Sequence, residues 1–206
     1  MLILIAGVVL FIGTHAVRIV SEDARDRLMA HFGPLAYKGL ISLGSLAGLV
    51  LMAKGYAVAR VDPIVLWSPW GGGRHVAALL SLAAFVLVVA AYIPRNTLRI
   101  RLGHPMVLGV KLWSLGHLIA NHTLADLVLF GSLLLWAVLS FRAARRRDAR
   151  ASAQIGGTEM QPGAPTPATI APSRLADLAV IVVGVALYGA FAFHLHASLI
   201  GVRPFG

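Results

Sequence analysis

The sequence predicts an all-α polytopic membrane bundle of about six transmembrane helices, with both termini outside. Three observations lead there. Residues AVILMFWYC make up 58% of the 206-residue chain, charged residues are only 13%, and mean hydropathy is +0.82. Soluble domains average about 45–50% apolar and about 25% charged. No soluble fold covers that much apolar surface, so soluble enzyme classes are excluded, and disorder is excluded except locally. There is no cysteine, which removes disulfides, thiolate metal sites and iron–sulfur clusters.

A spanning helix needs about 20 mostly apolar residues. Six segments approach this length: 2–20, 37–59, 76–93, 105–121, 124–141 and 175–200. The third to fifth are short. Thr123, followed three residues later by Asp126, reads as a capping box that starts the fifth. The first segment resembles a signal peptide in length, but its basic residues follow the apolar run instead of preceding it. That is the layout of a retained helix.

The charge of +10, with a pI near 11.3, would suggest nucleic acid in a soluble chain. Here its placement points to anionic lipid instead, and no nucleic-acid partner is expected. Arg18, Arg25, Arg27 and Lys38 fall in loop one. Arg95, Arg99 and Arg101 fall in loop three. Loop five carries Arg142, Arg145, Arg146, Arg147, Arg150 and Arg174. The opposite side carries only Lys54, Arg60, Arg74 and Arg203. The odd loops are therefore expected in the cytoplasm, and Trp67 and Trp70 in an outer aromatic belt. Organisation follows: a five-helix membrane core over 1–141, a flexible cytoplasmic linker over 142–174 rich in Gly and Pro near Gln161–Pro167, and a C-terminal transmembrane helix over 175–206.

Ionisable residues within spans are functional-site candidates. Of eight histidines, His15, His104, His117, His194 and His196 lie in or at spans. Histidine is a common haem and metal ligand. The plain alternative for any one of them is a helix–helix hydrogen bond. The fourth segment is richest. Trp113, His117 and Asn121 share one helical face, and His104 and Lys111 another. Lys111 needs an anionic partner or must snorkel. Asp126, Asp177, a haem propionate or a lipid phosphate would serve. Gly44 and Gly48 form a GxxxG pair, expected to mark close helix packing. Gly71-Gly72-Gly73 is a turn, not a phosphate loop, because no strand precedes it and no Lys-Ser/Thr follows.

Three stretches carry a family resemblance: GTHAVR around His15, GHPMVLGVKLWSLGHLIAN from Gly103 to Asn121, and HASLIGVRP from His196 to Pro204. The chain resembles the NnrU family, related to 15-cis-zeta-carotene isomerase, over most of its length except the loop-five linker. The resemblance implies a protein of the bacterial inner membrane linked to denitrification, alongside nitrite and nitric oxide reduction. It also implies haem b as cofactor and, from the isomerase, cis–trans isomerisation of a polyene. The isomerase's axial histidines match His15 and His117. A further histidine of the isomerase falls near Trp136, so the isomerase reaction carries over less directly than haem. At ~1.5 Å per residue, His15 is expected level with His104, and His117 nearer His196. His104 is thus a rival partner for His15, while Lys111, Asn121 and His196 complete the candidate cofactor site.

Two other functions compete. His104-Pro105 also resembles the cofactor helix of membrane methyltransferases, but Gly103 replaces their Arg and no Glu-Glu pair follows. A non-enzymatic assembly or transport factor for a membrane reductase is the third reading.

Overall fold

The computed structural model describes residues 1–157 and 171–205. All its elements are helical, and among the described residues extended pairing is limited to one isolated antiparallel bridge between Val65 and Thr123. The Gly/Pro-rich stretch expected to be a flexible linker lies at 158–170, outside the described residues.

Helix α1 (Leu2–Val20) ends at Ser21, and α2 (Glu22–Phe32) leaves it at 91°. The bend follows from local chemistry. Ser21 takes an extended conformation, its side chain accepts from Ala24 N at 3.1 Å, and Glu22 and Asp23 occupy the first turn. Each of these favours a fresh N-terminus. Gly33, at φ 80°, then reverses the chain into α3 (Pro34–Ala59), with Pro34 in the first helical turn. Next come α4 (Gly73–Tyr92), the short α5 (Thr97–Leu102) capped by Asn96, and α6 (Pro105–Ala120). The capping box expected at Thr123 is present and starts α7 (Leu124–Asp126). A π-helical turn at Leu127–Gly131 joins α7 to α8 (Ser132–Gly157). Helix α9 (Arg174–Ala190) passes through a second π-helical turn, Phe191–Leu195, into α10 (His196–Ile200).

Among the described residues four helices are long and apolar enough to cross a membrane: Pro34–Ala59, Gly73–Tyr92, Leu124–Gln154 and Arg174–Ile200. The bent pair of α1 and α2 raises this to five if counted as one span. Helix α6 is apolar but has 16 residues, about 24 Å against a hydrocarbon core of about 30 Å. The first part of the stretch expected to be a flexible linker, from residue 142, is helical. Residues 142–157 continue α8, because their Ala and Arg residues are strong helix formers and no Gly or Pro interrupts them before Gly156.

The helices pack in the spatial order α3, α1, α8, α6, α4, α9. Glycines set the closest approaches. A Cβ on Gly48 would lie 2.7 Å from Phe11 N, and one on Gly44 would lie 2.7 Å from Thr14 Cγ2, so the GxxxG pair is the α1–α3 seam. Gly109 and Gly116 play the same part between α6 and α4, and Gly184 between α9 and Val86 of α4. The last helix is therefore docked on its own chain. Asp177 strengthens this by accepting from Thr97 N at 2.6 Å and Thr97 Oγ1 at 2.7 Å. Arg60 Nη1 donates to Ile200 O at 3.2 Å, joining the ends of α3 and α10.

Candidate functional site

The rod formed by α7, the π turn and α8 stands between α1 and α6, and the candidate histidines flank it. On the α1 side, the His15 ring lies 4.6 Å from Phe11 and meets Trp136 edge-on at 5.6 Å. His15 Nδ1 donates to Phe11 O at 2.8 Å. On the α6 side, His117 stacks at 4.7 Å on Trp113 and 4.6 Å on Phe130, and its Nδ1 donates to Trp113 O at 2.9 Å. The two imidazoles thus have the same preparation. Each is fixed by a bond to the carbonyl one turn earlier, which makes Nδ1 the protonated nitrogen and leaves the lone pair on Nε2. Among the described residues nothing hydrogen-bonds either Nε2.

Asn121 lies on the expected face with Trp113 and His117, and its Nδ2 donates to His117 O at 2.8 Å. His196, in α10, bonds through Nδ1 to Val202 O at 2.7 Å and lies within electrostatic range of His117. His104 is elsewhere. Its Nε2 pairs with Asp148 Oδ2 at 2.9 Å, twelve residues along α8 from Trp136, or about 18 Å. His104, between Phe141 and Asp148, thus stands further along α8 than His15, which meets Trp136. Depth is set by how α1 and α6 pack against α8, and not by distance from the ends of the apolar runs.

Lys111 Nζ sits 5.0 Å above the Phe141 ring, which His104 also meets at 6.3 Å. The carboxylates considered as its partners are engaged by other groups. Asp177 binds Thr97. Asp126, only 4% exposed, accepts from Tyr56 Oη at 2.5 Å on one oxygen and from Thr123 N and Oγ1 at 2.9 and 2.6 Å on the other. A cation over an aromatic face retains part of the stabilisation an anion would give. Tyr56 itself escaped the sequence reading, since nothing local links it to a residue seventy positions away. Its ring also meets Phe130 at 6.0 Å, one side chain removed from His117.

The donor chemistry suits haem iron one imidazole at a time. Two opposed axial bonds are a different matter. His15 touches Trp136 and His117 touches Phe130, six residues apart on the rod, or about 9 Å, and α8 lies between them. Trp136 Nε1 is buried beside His15 and, among the described residues, has no partner, and the same holds for Ser114 Oγ and Ser140 Oγ at the α6 and α8 faces. Buried donors of this kind call for a bound group or water. An apolar groove of about 230 Å3 lies between α4 and α6, lined by Phe85, Val88, Gly109, Val110 and Trp113; small-molecule sites usually start near 300 Å3. Among the described residues no group of three or more His, Asp or Glu is arranged to hold a bare metal ion.

No curated protein and no solved structure matches the chain. The NnrU protein family model matches residues 3–204, nearly the whole of it, and the chain belongs to the NnrU family.

Proposed function

We propose that this NnrU-family membrane protein binds haem b through an imidazole, that of His15 on one side of α8 or that of His117 on the other. The observation that carries the reading is their shared preparation, with Nδ1 bonded to the preceding turn and Nε2 open. Haem b, when bound, would supply an iron able to ligate nitric oxide or exchange one electron. The chain's own contribution is to fix the tautomer of each imidazole and to pack His15 against Phe11 and Trp136, and His117 against Trp113 and Phe130. Because α8 separates the two histidines, either imidazole would hold the group from its own side of that helix. A role beside nitrite and nitric oxide reduction is part of the proposal and rests on the family resemblance alone. Polyene isomerisation follows more weakly, since Trp136 stands near the place where the isomerase has a further histidine.

We place the protein in the bacterial inner membrane with six crossings, α1 and α6 included, and both termini outside. The support is a single basic end. Arg147 of α8 pairs with Glu22 of α2 at 3.4 Å, and His104 with Asp148, which gathers loops one, three and five on one side, as the positive-inside rule requires.

The test is the absorption spectrum of detergent-purified protein from haem-replete cells. A Soret band that weakens in His15→Ala or His117→Ala supports the reading. Colourless protein that also fails to take up added haemin overturns it. Incubation in a carotenoid-accumulating host tests isomerisation separately.

A further inference from the structure

Where α1 turns into α2, a pocket of about 340 Å3 opens against the basic extension of α8. Its lining separates by charge. Arg146, Arg147 and Arg150 form the α8 wall, and Glu22 and Asp23, in the first turn of α2, face them. The Arg147–Glu22 ion pair at 3.4 Å ties the walls together. Arg146 and Arg150 are one helical turn apart, so they project from the same face, and both are exposed. The last apolar residues of α1, Ile19 and Val20, complete the lining. The pocket therefore holds three guanidinium groups, one of them tied to Glu22, two carboxylates and an apolar edge, at the level where a spanning helix leaves hydrocarbon.

We propose that this pocket binds the zwitterionic headgroup of a phosphatidylethanolamine lipid. The phosphate diester carries one negative charge and suits the forked guanidinium groups of Arg146 and Arg150. The primary ammonium has three N–H donors, which the carboxylates of Asp23 and Glu22 accept. A purely anionic headgroup would satisfy the arginines but bring no ammonium to those carboxylates. A trimethylammonium headgroup has the same charge but no N–H to donate. The acyl chains continue along Ile19 and Val20, which favours the membrane lipid over a soluble phosphoamine. The site uses neither His15 nor His117, so it stands or falls independently of haem.

The experiment places the full chain in nanodiscs of phosphatidylcholine doped with equal amounts of phosphatidylethanolamine and phosphatidylglycerol, and counts retained lipids by native mass spectrometry. Phosphatidylethanolamine is expected to be enriched over both others. Arg146→Ala with Arg150→Ala should reduce its retention at least about tenfold, as losing charge-assisted hydrogen bonds implies. Glu22→Gln with Asp23→Asn should abolish the preference for ethanolamine over choline while leaving phosphate binding in place. Circular dichroism of each variant in detergent confirms that the helices persist. Equal retention of ethanolamine and choline lipids by the unaltered chain overturns the proposal. So does a preference for phosphatidylglycerol, or displacement of the lipid by an equal concentration of soluble phosphoethanolamine.

Discussion

The Tyr56 hydroxyl donates to Asp126 Oδ1 at 2.5 Å, bolting the end of α3 to the start of the α7–α8 rod. Thr123 fills the other carboxylate oxygen through both its N–H and its hydroxyl, so the buried Asp126 carries bonds on both sides. In a low-dielectric interior such saturation is what makes a carboxylate tolerable.

Tyr56→Phe should therefore cost about 1–3 kcal/mol, because it leaves a buried acceptor short of one bond without changing packing volume. Asp126→Ala should cost more, since it frees the Tyr56 hydroxyl and removes the capping box. Melting curves in a fixed detergent measure both. A Tyr56→Phe protein as stable as the parent would show that the bond contributes nothing.

The α1–α3 seam makes a position-specific claim. Gly48→Leu should destabilise by about 1–3 kcal/mol or more through overpacking, since even a Cβ there would lie 2.7 Å from Phe11 N. Gly39→Leu, on the same helix but with nothing within 4 Å, should leave the melting temperature unchanged or raise it. Equal losses at both positions would show that contact with α1 is not what the substitution at Gly48 disturbs, since Leu is the better helix former at either site.

Trp136 offers a test that joins stability to the haem reading. Its Nε1 is buried without an acceptor, so Trp136→Phe removes an unsatisfied donor and should leave the haem-free chain as stable or raise it by up to about 1 kcal/mol. If a bound group accepts from that indole, the same substitution shifts the visible spectrum of the loaded protein. A clear loss of stability in haem-free Trp136→Phe would show that the ring's bulk, and not its N–H, is what the site requires.

Asp177→Asn should loosen α5. The carboxylate accepts both the N–H and the hydroxyl of Thr97, and an amide presents only one oxygen to them. Trypsin should then cut faster at Arg99 and Arg101, with the fragments read by mass spectrometry. An unchanged cleavage rate would assign the order of α5 to Asn96, whose Oδ1 accepts from Arg99 N at 2.7 Å.

Much of this protein could be read along the chain. Helicity, the start of α7 at Thr123, the glycine seam at Gly44 and Gly48, and the shared face of Trp113, His117 and Asn121 all rest on spacings of three to four residues, which a helix converts directly into neighbours. Helix α2 was missed although Ser21, Glu22 and Asp23 announce it, because hydropathy assigns a polar stretch between spans to a loop. The reach of α8 to Gly157 was missed for the same reason, since its Arg and Ala residues read as basic loop when only apolar length is weighed. The tertiary structure alone decided that α8 lies between α1 and α6, that His15 meets Trp136 while His104 meets Asp148, and that Tyr56 finds Asp126. The physical reason lies in the solvent. Apolar content selects residues for a bilayer, but lipid chains and neighbouring helices are equally apolar, so hydropathy does not say which face meets which helix. That choice is made by close packing at glycines and by a few buried hydrogen bonds, whose partners stand far apart in sequence.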